Sequence, residues 1–121
     1  MPDESLLQTF TTPAADYLIE HVQEEFTSLC PVTGHPDFGR VVLRYEPGES
    51  CVELKSLKLY YQSFRDEGIF YEAVTNRIRD DLAKLLRPAW LQVVTEWRGR
   101  GGIRSRIIAA HGEVPAEWKR G

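Results

Sequence analysis

Residues 56–68, SLKLYYQSFRDEG, change the period of the chain. Leu57, Tyr60, Tyr61 and Phe64 fall at i, i+3, i+4 and i+7, one face of an α-helix, and Gly68 closes it. A second helix follows. Ile69, Ala73, Val74, Ile78, Leu82, Leu85 and Leu86 recur at helical spacing until Pro88 stops them. On either side the pattern is extended. RVVLRYE (40–46) is a strand closed by the turn PGES, and CVE begins another extended piece. YLIEHVQEEFTSL (17–29) alternates poorly and reads as a strand, with Thr27 and Pro31 close to its end. WLQVVTEWR (90–98), a GRGG turn and IRSRIIAA (103–110) give two more strands. Residues 2–15, with two prolines, read as a loose arm; PVTGHPDFG (31–39) and GEVPAEWKRG (112–121) read as loops.

The order is ββααββ. Strands joined by short turns pair antiparallel, so the prediction is one α+β domain over residues 1–121. It has a four-stranded antiparallel sheet with both helices on one face. The other face then needs cover or an unusually polar surface. Two sheet edges also need managing, and closing sheets into a ring with other copies would do that. Ring closure is expected to bury Val41, Leu43, Val93 and Ile107.

Composition sets limits. The chain has 121 residues, 42% hydrophobic and 27% charged, the profile of an ordinary globular domain. A net charge of −3 gives no field that would draw nucleic acid. No apolar run approaches the roughly 20 residues of a membrane span. MPDESLLQTF lacks the basic start and apolar stretch of a secretory signal, so a cytoplasmic location is expected, with thiols reduced.

Two cysteines and three histidines are too few and too scattered for a structural zinc site, and no metal is expected. Cys51 sits in plain strand context and reads as a small buried residue. Cys30, in SLCPVTGHPDFG (28–39), is followed by Asp37 with His35 between them. Filler and nucleophile both remain open for it on residue type alone. Lys55 and Lys58 stand at the start of the first helix, where positive charge opposes the macrodipole. A solvated helix face explains them, and so does an anion site. Arg98, Arg100, Arg104 and Arg106 add basic charge around GRGG, which is equally a plain hairpin turn.

SLCPVTGHPDFG, ELKSLKLYYQSFR, GIFYE and GRGGI, running in order from Phe26 to Ile103, together resemble the short, single-domain NADPH-dependent nitrile reductases. These convert 7-cyano-7-deazaguanine to 7-aminomethyl-7-deazaguanine in queuosine biosynthesis, a tRNA modification. The resemblance implies the tunnelling fold (T-fold), whose strand and helix order matches the one read from pattern. It implies Cys30 as the nucleophile that adds to the nitrile carbon as a thioimide, and Asp37 as its acid/base partner. Glu72 takes the place of the glutamate that anchors the deazaguanine, one carboxylate facing two parallel N–H donors. Tyr71, Glu53 and Ser56 join it as substrate-binding positions, and Lys55, Lys58, Arg100 and Gly101 are assigned to the NADPH cofactor. Tyr71 stands where many relatives carry histidine. His35 reads as an exposed loop residue.

The resemblance also implies a homodecamer of two stacked pentamers, with sites at subunit borders. Cys30 and Glu72 are then expected to serve one site from neighbouring chains. Three alternatives share parts of the pattern. An archaeosine-type amidinotransferase keeps the cysteine and aspartate without the full ELKSLK segment. A thiol peroxidase needs no purine-anchoring carboxylate. A non-catalytic ring scaffold leaves the cysteine, aspartate and lysines without purpose.

Overall fold

In a computed structural model, residues 2–121 are described, Arg100 by its backbone alone. The elements are β1 (Thr9–Thr11), β2 (Ile19–Leu29), β3 (Pro36–Glu46), β4 (Ser50–Val52), α1 (Leu54–Gln62), α2 (Tyr71–Leu86), β5 (Trp90–Arg100) and β6 (Ile103–Gly112). The long strands form one antiparallel sheet in the order β2-β3-β5-β6, and β1 pairs with β4 in a small second sheet. The α+β arrangement read from the sequence is present, with the four long strands and two helices in the order ββααββ.

One face of the sheet carries the core. Val41, Leu43 and Tyr45 of β3 and Leu91, Val93 and Trp97 of β5 point the same way, the period of two that a strand dictates. Leu57, Tyr60, Tyr61 and Phe64 from α1 cover them, with Val74, Ile78, Leu82 and Leu86 from α2. Both helices therefore lie on that face. Val41, Leu43 and Val93 are fully buried by this packing within one chain, so the expectation that ring closure buries them is corrected. A polar knot sits in the same layer. The Tyr60 hydroxyl donates to Asp81 at 2.6 Å, and Arg77 closes on the same carboxylate oxygen at 2.9 Å. A buried carboxylate is tolerable only with such partners.

The opposite face is polar and partly covered, so both answers posed by the sequence apply. Arg40 spans Glu24 and Glu96, and Arg44 spans Glu20 and Gln92, laying cross-strand pairs over β2, β3 and β5. The chain's last residues lie on this face. The Trp118 ring sits 4.8 Å below the Arg44 guanidinium, and Gln92 donates to the Trp118 carbonyl. Gln92 and Val94 are almost fully buried there.

Four sequence readings change. α1 ends at Gln62, not at Gly68, with turns leading on to the linker. Residues 2–15 are not a loose arm: Glu4–Leu6 form a 3-10 turn, Leu7 is buried in the core, and β1 bonds to β4. The arm holds because β4 offers an unpaired edge and the core a gap of leucine size. β3 begins at Pro36, not at residue 40, which puts Asp37 in a strand; proline is acceptable at a strand's first residue. The poor alternation of residues 17–29 comes from a β-bulge. Gln23 faces Val41 and Phe26 faces Gly39, so Glu24 and Glu25 together oppose Arg40. The bulge swaps the face on which β2 side chains lie, and Phe26 and Ser28 become buried.

Deleting residues 2–12 should lower the thermal unfolding midpoint measured by circular dichroism. Leu7 alone accounts for about 1.5–3 kcal/mol of buried apolar side chain. An unchanged midpoint would restore the loose-arm reading.

Candidate active site

Cys30 ends β2 at the start of a closed turn. Its N–H donates to the His35 carbonyl and its own carbonyl accepts from Gly34 N–H, both at 2.8 Å. Gly34 sits at φ 74°, a backbone region that glycine adopts without strain. The turn returns the chain as β3, which places Ser28 directly opposite Asp37. Leu29 fastens this corner to the linker between the helices. Its N–H donates to Glu67 at 2.9 Å and its carbonyl accepts from Ile69 at 3.1 Å. Three residues beyond the bridged Gly68, α2 begins at Tyr71.

The result is a cavity of about 180 Å³ lined by Cys30, Pro31, Asp37, Ile69, Phe70, Tyr71 and Glu72. Cys30 is partly exposed, as a reacting thiol must be, while Asp37 is 5% exposed. The Tyr71 hydroxyl donates to Asp37 Oδ1 at 3.3 Å. Glu72 stands exposed in the first turn of α2. Thiol, carboxyl, phenol and carboxylate thus share one opening on one chain. Cys30 and Glu72 do not need a subunit border to meet, and that expectation is corrected.

The segment 53–58 lies outside this cavity. Glu53 caps α1: its carboxylate accepts from Lys55 N–H at 2.7 Å and Ser56 N–H at 2.8 Å. These backbone bonds, Lys55 first, hold its pKa below the ordinary carboxylate value. The helix N-terminus that the two lysines suggested as an anion site is thus already held by a carboxylate. Ser56 is buried, its hydroxyl accepting from Gln8 N–H at 3.0 Å and donating to the Glu53 carbonyl at 2.7 Å.

Lys55 and Lys58 are exposed. Lys58 lines a second cavity, of about 220 Å³, with Thr27, Tyr61, Gln62 and Arg65. The Tyr61 hydroxyl is buried and without a hydrogen-bond partner among the described residues. Arg65 also borders a wider cleft of about 990 Å³ that holds Arg98 and Arg104. Gly101 sits at the β5–β6 hairpin tip at φ 54° with open space around it. Of Arg100, only the backbone place in that hairpin is described.

Cys51 is buried in β4, its thiol 3.3 Å from the Tyr17 hydroxyl. His35 is exposed, as read. The sequence reading passed over Phe70, which lines the Cys30 cavity at 59% exposure, and the signal for it was a large apolar residue beside the two assigned ones. It also passed over Arg65, hidden among the solvated charges of its helix.

A four-stranded antiparallel sheet with two helices on one face, and a thiol and a carboxyl in a cavity at its end, defines the class: a pocket on the tunnelling fold. The comparisons narrow it. The family model for QueF-like protein matches residues 36–116. The chain is 57% identical to the NADPH-dependent 7-cyano-7-deazaguanine reductase of an Anaeromyxobacter species, over 91% of this chain and 92% of the relative. It is 57% identical to that of Pelodictyon phaeoclathratiforme, over 92% and 97%. For that of Chloroherpeton thalassium the identity is 54%, over 88% and 93%. The crystal structure of an archaeosine synthase, QueF-like, in the apo form matches at a TM-score of 0.78. At 20% identity, over 84% of this chain and all of that one, this likeness shows the fold. The chain belongs to the QueF-like family.

The cap on α1 can be separated from any role in binding. Glu53→Ala should lower the unfolding midpoint at neutral pH, while Glu72→Ala, which caps nothing, should leave it in place. A carboxylate with a depressed folded-state pKa stabilises above its ordinary value of 4.5 and loses that contribution as pH falls through the folded value. The gap between wild type and Glu53→Ala should therefore close in thermal melts taken below pH 4.5.

Proposed function

We propose that this chain reduces the nitrile of 7-cyano-7-deazaguanine to the aminomethyl group with NADPH, the step that serves queuosine biosynthesis. The observation that carries the reading is the single cavity holding Cys30, Asp37, Tyr71 and Glu72. It joins a relationship to reductases of that name over nearly the whole chain.

Each group has a task. The Cys30 thiol gives its proton to the Asp37 carboxylate, and the sulfur adds to the nitrile carbon, forming a C–S bond as one C–N π bond opens. Asp37 returns the proton to the nitrile nitrogen, leaving a neutral thioimide on Cys30. Burial of Asp37 keeps water from competing for that proton. Glu72 faces the N1–H and 2-amino group of the base, two donors met by one carboxylate. Phe70 supplies an apolar wall for the ring.

NADPH supplies hydride when bound, two equivalents being needed to take a nitrile to an amine. In the cavity beside α1, Lys58 and Arg65 offer charge to the NADPH phosphates, with Glu25 on the same wall. Lys55, Arg100 and Gly101 are assigned to the same cofactor from the family motif alone. Glu53 and Ser56 are assigned to the substrate from the family motif alone; in this chain they form the cap of α1, outside the Cys30 cavity. No metal enters the scheme.

The partners are the small-molecule nitrile and further copies of the chain. β2 and β6 are open edges of the sheet, and exposed Val22 and Ile108 on them, with Leu18 just before β2, favour a ring, which we take as a decamer of two pentamers. A working thiol is compatible with the reducing cytoplasm, and a net charge of −3 argues for a free base over tRNA as substrate.

NADPH oxidation that depends on added nitrile tests the reading. Cys30→Ala should abolish it and Cys51→Ala should not. Without NADPH, mass spectrometry should find the nitrile adduct on the Cys30 peptide; an adduct confined to Cys51 would sink the mechanism. Asp37→Asn should slow turnover by a factor on the order of 10²–10⁴. Glu72→Gln should weaken nitrile binding by about 1–3 kcal/mol and leave NADPH affinity alone.

A further inference from the structure

Tyr71 meets Asp37 through a bond of 3.3 Å, long for a hydroxyl on a carboxylate. At that length the placement of the ring decides whether the bond exists. The ring lies flat on the Trp97 indole, centroids 4.1 Å apart and planes 7° from parallel. Trp97 Nε1–H donates to Thr95 Oγ1 at 2.8 Å. The Thr95 and Thr75 hydroxyls are 2.6 Å apart, and Thr75 donates to the Tyr71 carbonyl at 2.8 Å. That last bond uses Thr75's proton, so Thr95 must donate to Thr75. The protons run one way: indole to Thr95, Thr95 to Thr75, Thr75 to the backbone of Tyr71. The circuit begins at the face of the Tyr71 ring and ends on the same residue's main chain.

All three contributors are buried, Trp97 at 2% exposure and both threonines at 0%. Buried hydroxyls cost stability unless bonded, and valine would fill either threonine site without that demand. None of the three lines the Cys30 cavity. Gly39, paired with Trp97 across the sheet, makes the arrangement possible. A Cβ there would stand 2.8 Å from the Glu96 carbonyl oxygen and 2.9 Å from the indole. Phe26, turned inward by the bulge, braces the indole from the side with its ring edge-on at 5.9 Å.

We propose that Thr75, Thr95 and Trp97 form a positioning clamp, seated on Gly39, that fixes the Tyr71 phenol against Asp37 and so sets the rate of proton transfer rather than nitrile affinity. This rests on the reading of Asp37 as the proton carrier. The clamp residues act only through Tyr71, which makes a specific demand: without the Tyr71 hydroxyl they should have nothing left to position.

A double-mutant cycle on the full chain tests it. Tyr71→Phe, Trp97→Phe and Thr95→Val are measured singly, and the last two also in the Tyr71→Phe background. Two rates are read: nitrile-dependent NADPH oxidation, and Cys30 adduct formation without NADPH. Each single change should lower kcat by about tenfold, with KM for the nitrile within about twofold. In the Tyr71→Phe background Trp97→Phe and Thr95→Val should cost nothing further, the non-additivity of residues acting as a unit. Equal losses in both backgrounds, or unchanged kcat in the singles, would overturn the clamp. Should Thr95→Val not fold, the Trp97→Phe arm decides alone, because it keeps a ring in the core. A wild type that forms the adduct but oxidises no NADPH sinks the reductase reading, and the adduct rates still decide the clamp. A wild type that does neither overturns both.

Discussion

Two backbone hydrogen bonds on Leu29 decide whether this fold has a site. The cysteine turn closes the β2–β3 ladder at the end of the sheet, and that ladder alone gives it no contact with the helices. The linker between the helices is without regular structure. Leu29 ties one to the other through Glu67 and Ile69. Peptide groups here must find partners or remain wet, and each segment supplies what the other lacks. The two side chains that follow, Cys30 after β2 and Tyr71 at the start of α2, are then brought to a common opening. The sheet, the helices and the turn could all form without this clip and still present no cavity.

Stability and chemistry use different parts of the same layer. The helices cover the sheet with leucine, valine and isoleucine at the α2 C-terminal end, away from Cys30. Towards the site the layer becomes aromatic: Phe26, Tyr61, Phe64, Trp97 and Tyr71 succeed one another in edge-on and stacked contacts. Aromatic rings carry large buried area on few rotatable bonds, so they transmit position from a rigid core to a working side chain. A leucine core would bury comparable area and define the Tyr71 ring plane less sharply.

What the sequence made legible follows from how local each signal is. The helices were readable because α1 and α2 each place apolar residues at 3.6 spacing, a property of one segment. β3 and β5 were readable in the same way. β2 was obscured because its bulge breaks alternation at Glu24 and Glu25, and a bulge is defined by the partner strand, here by Arg40. The N-terminal arm was misread because its order comes from β4, Ser56 and a pocket in the core, none of them adjacent in sequence. Cys30, Asp37, Tyr71 and Glu72 were legible through the family motif, and the structure brings them together. Glu53 and Ser56 fall in the same motif, yet their visible bonds are those of a helix cap. Trp97 and Thr95 gave no signal at all. They look like ordinary core residues, and only the direction of their hydrogen bonds sets them apart.

The bulge in β2 takes up one extra residue without changing which side chains of β3 its neighbours meet. Between Gln23 and Phe26 the strand carries two residues opposite one. Removing one of them would leave a strand of good β propensity with unbroken pairing. Phe26 and Ser28 would keep their partners Gly39 and Asp37 and stay on the core side, while one of the two glutamates opposite Arg40 and the local bend of the strand would be lost. A second bulge lies at the same level on the far side, where Trp97 pairs with Ser105 and Arg100 with Ile103. The row Phe26, Gly39, Trp97 is thus bracketed by two extra residues, one inserted before it and one after. Among homologous sequences, a gap at either point would therefore remove a bend beside the pocket while sparing the residues that line it.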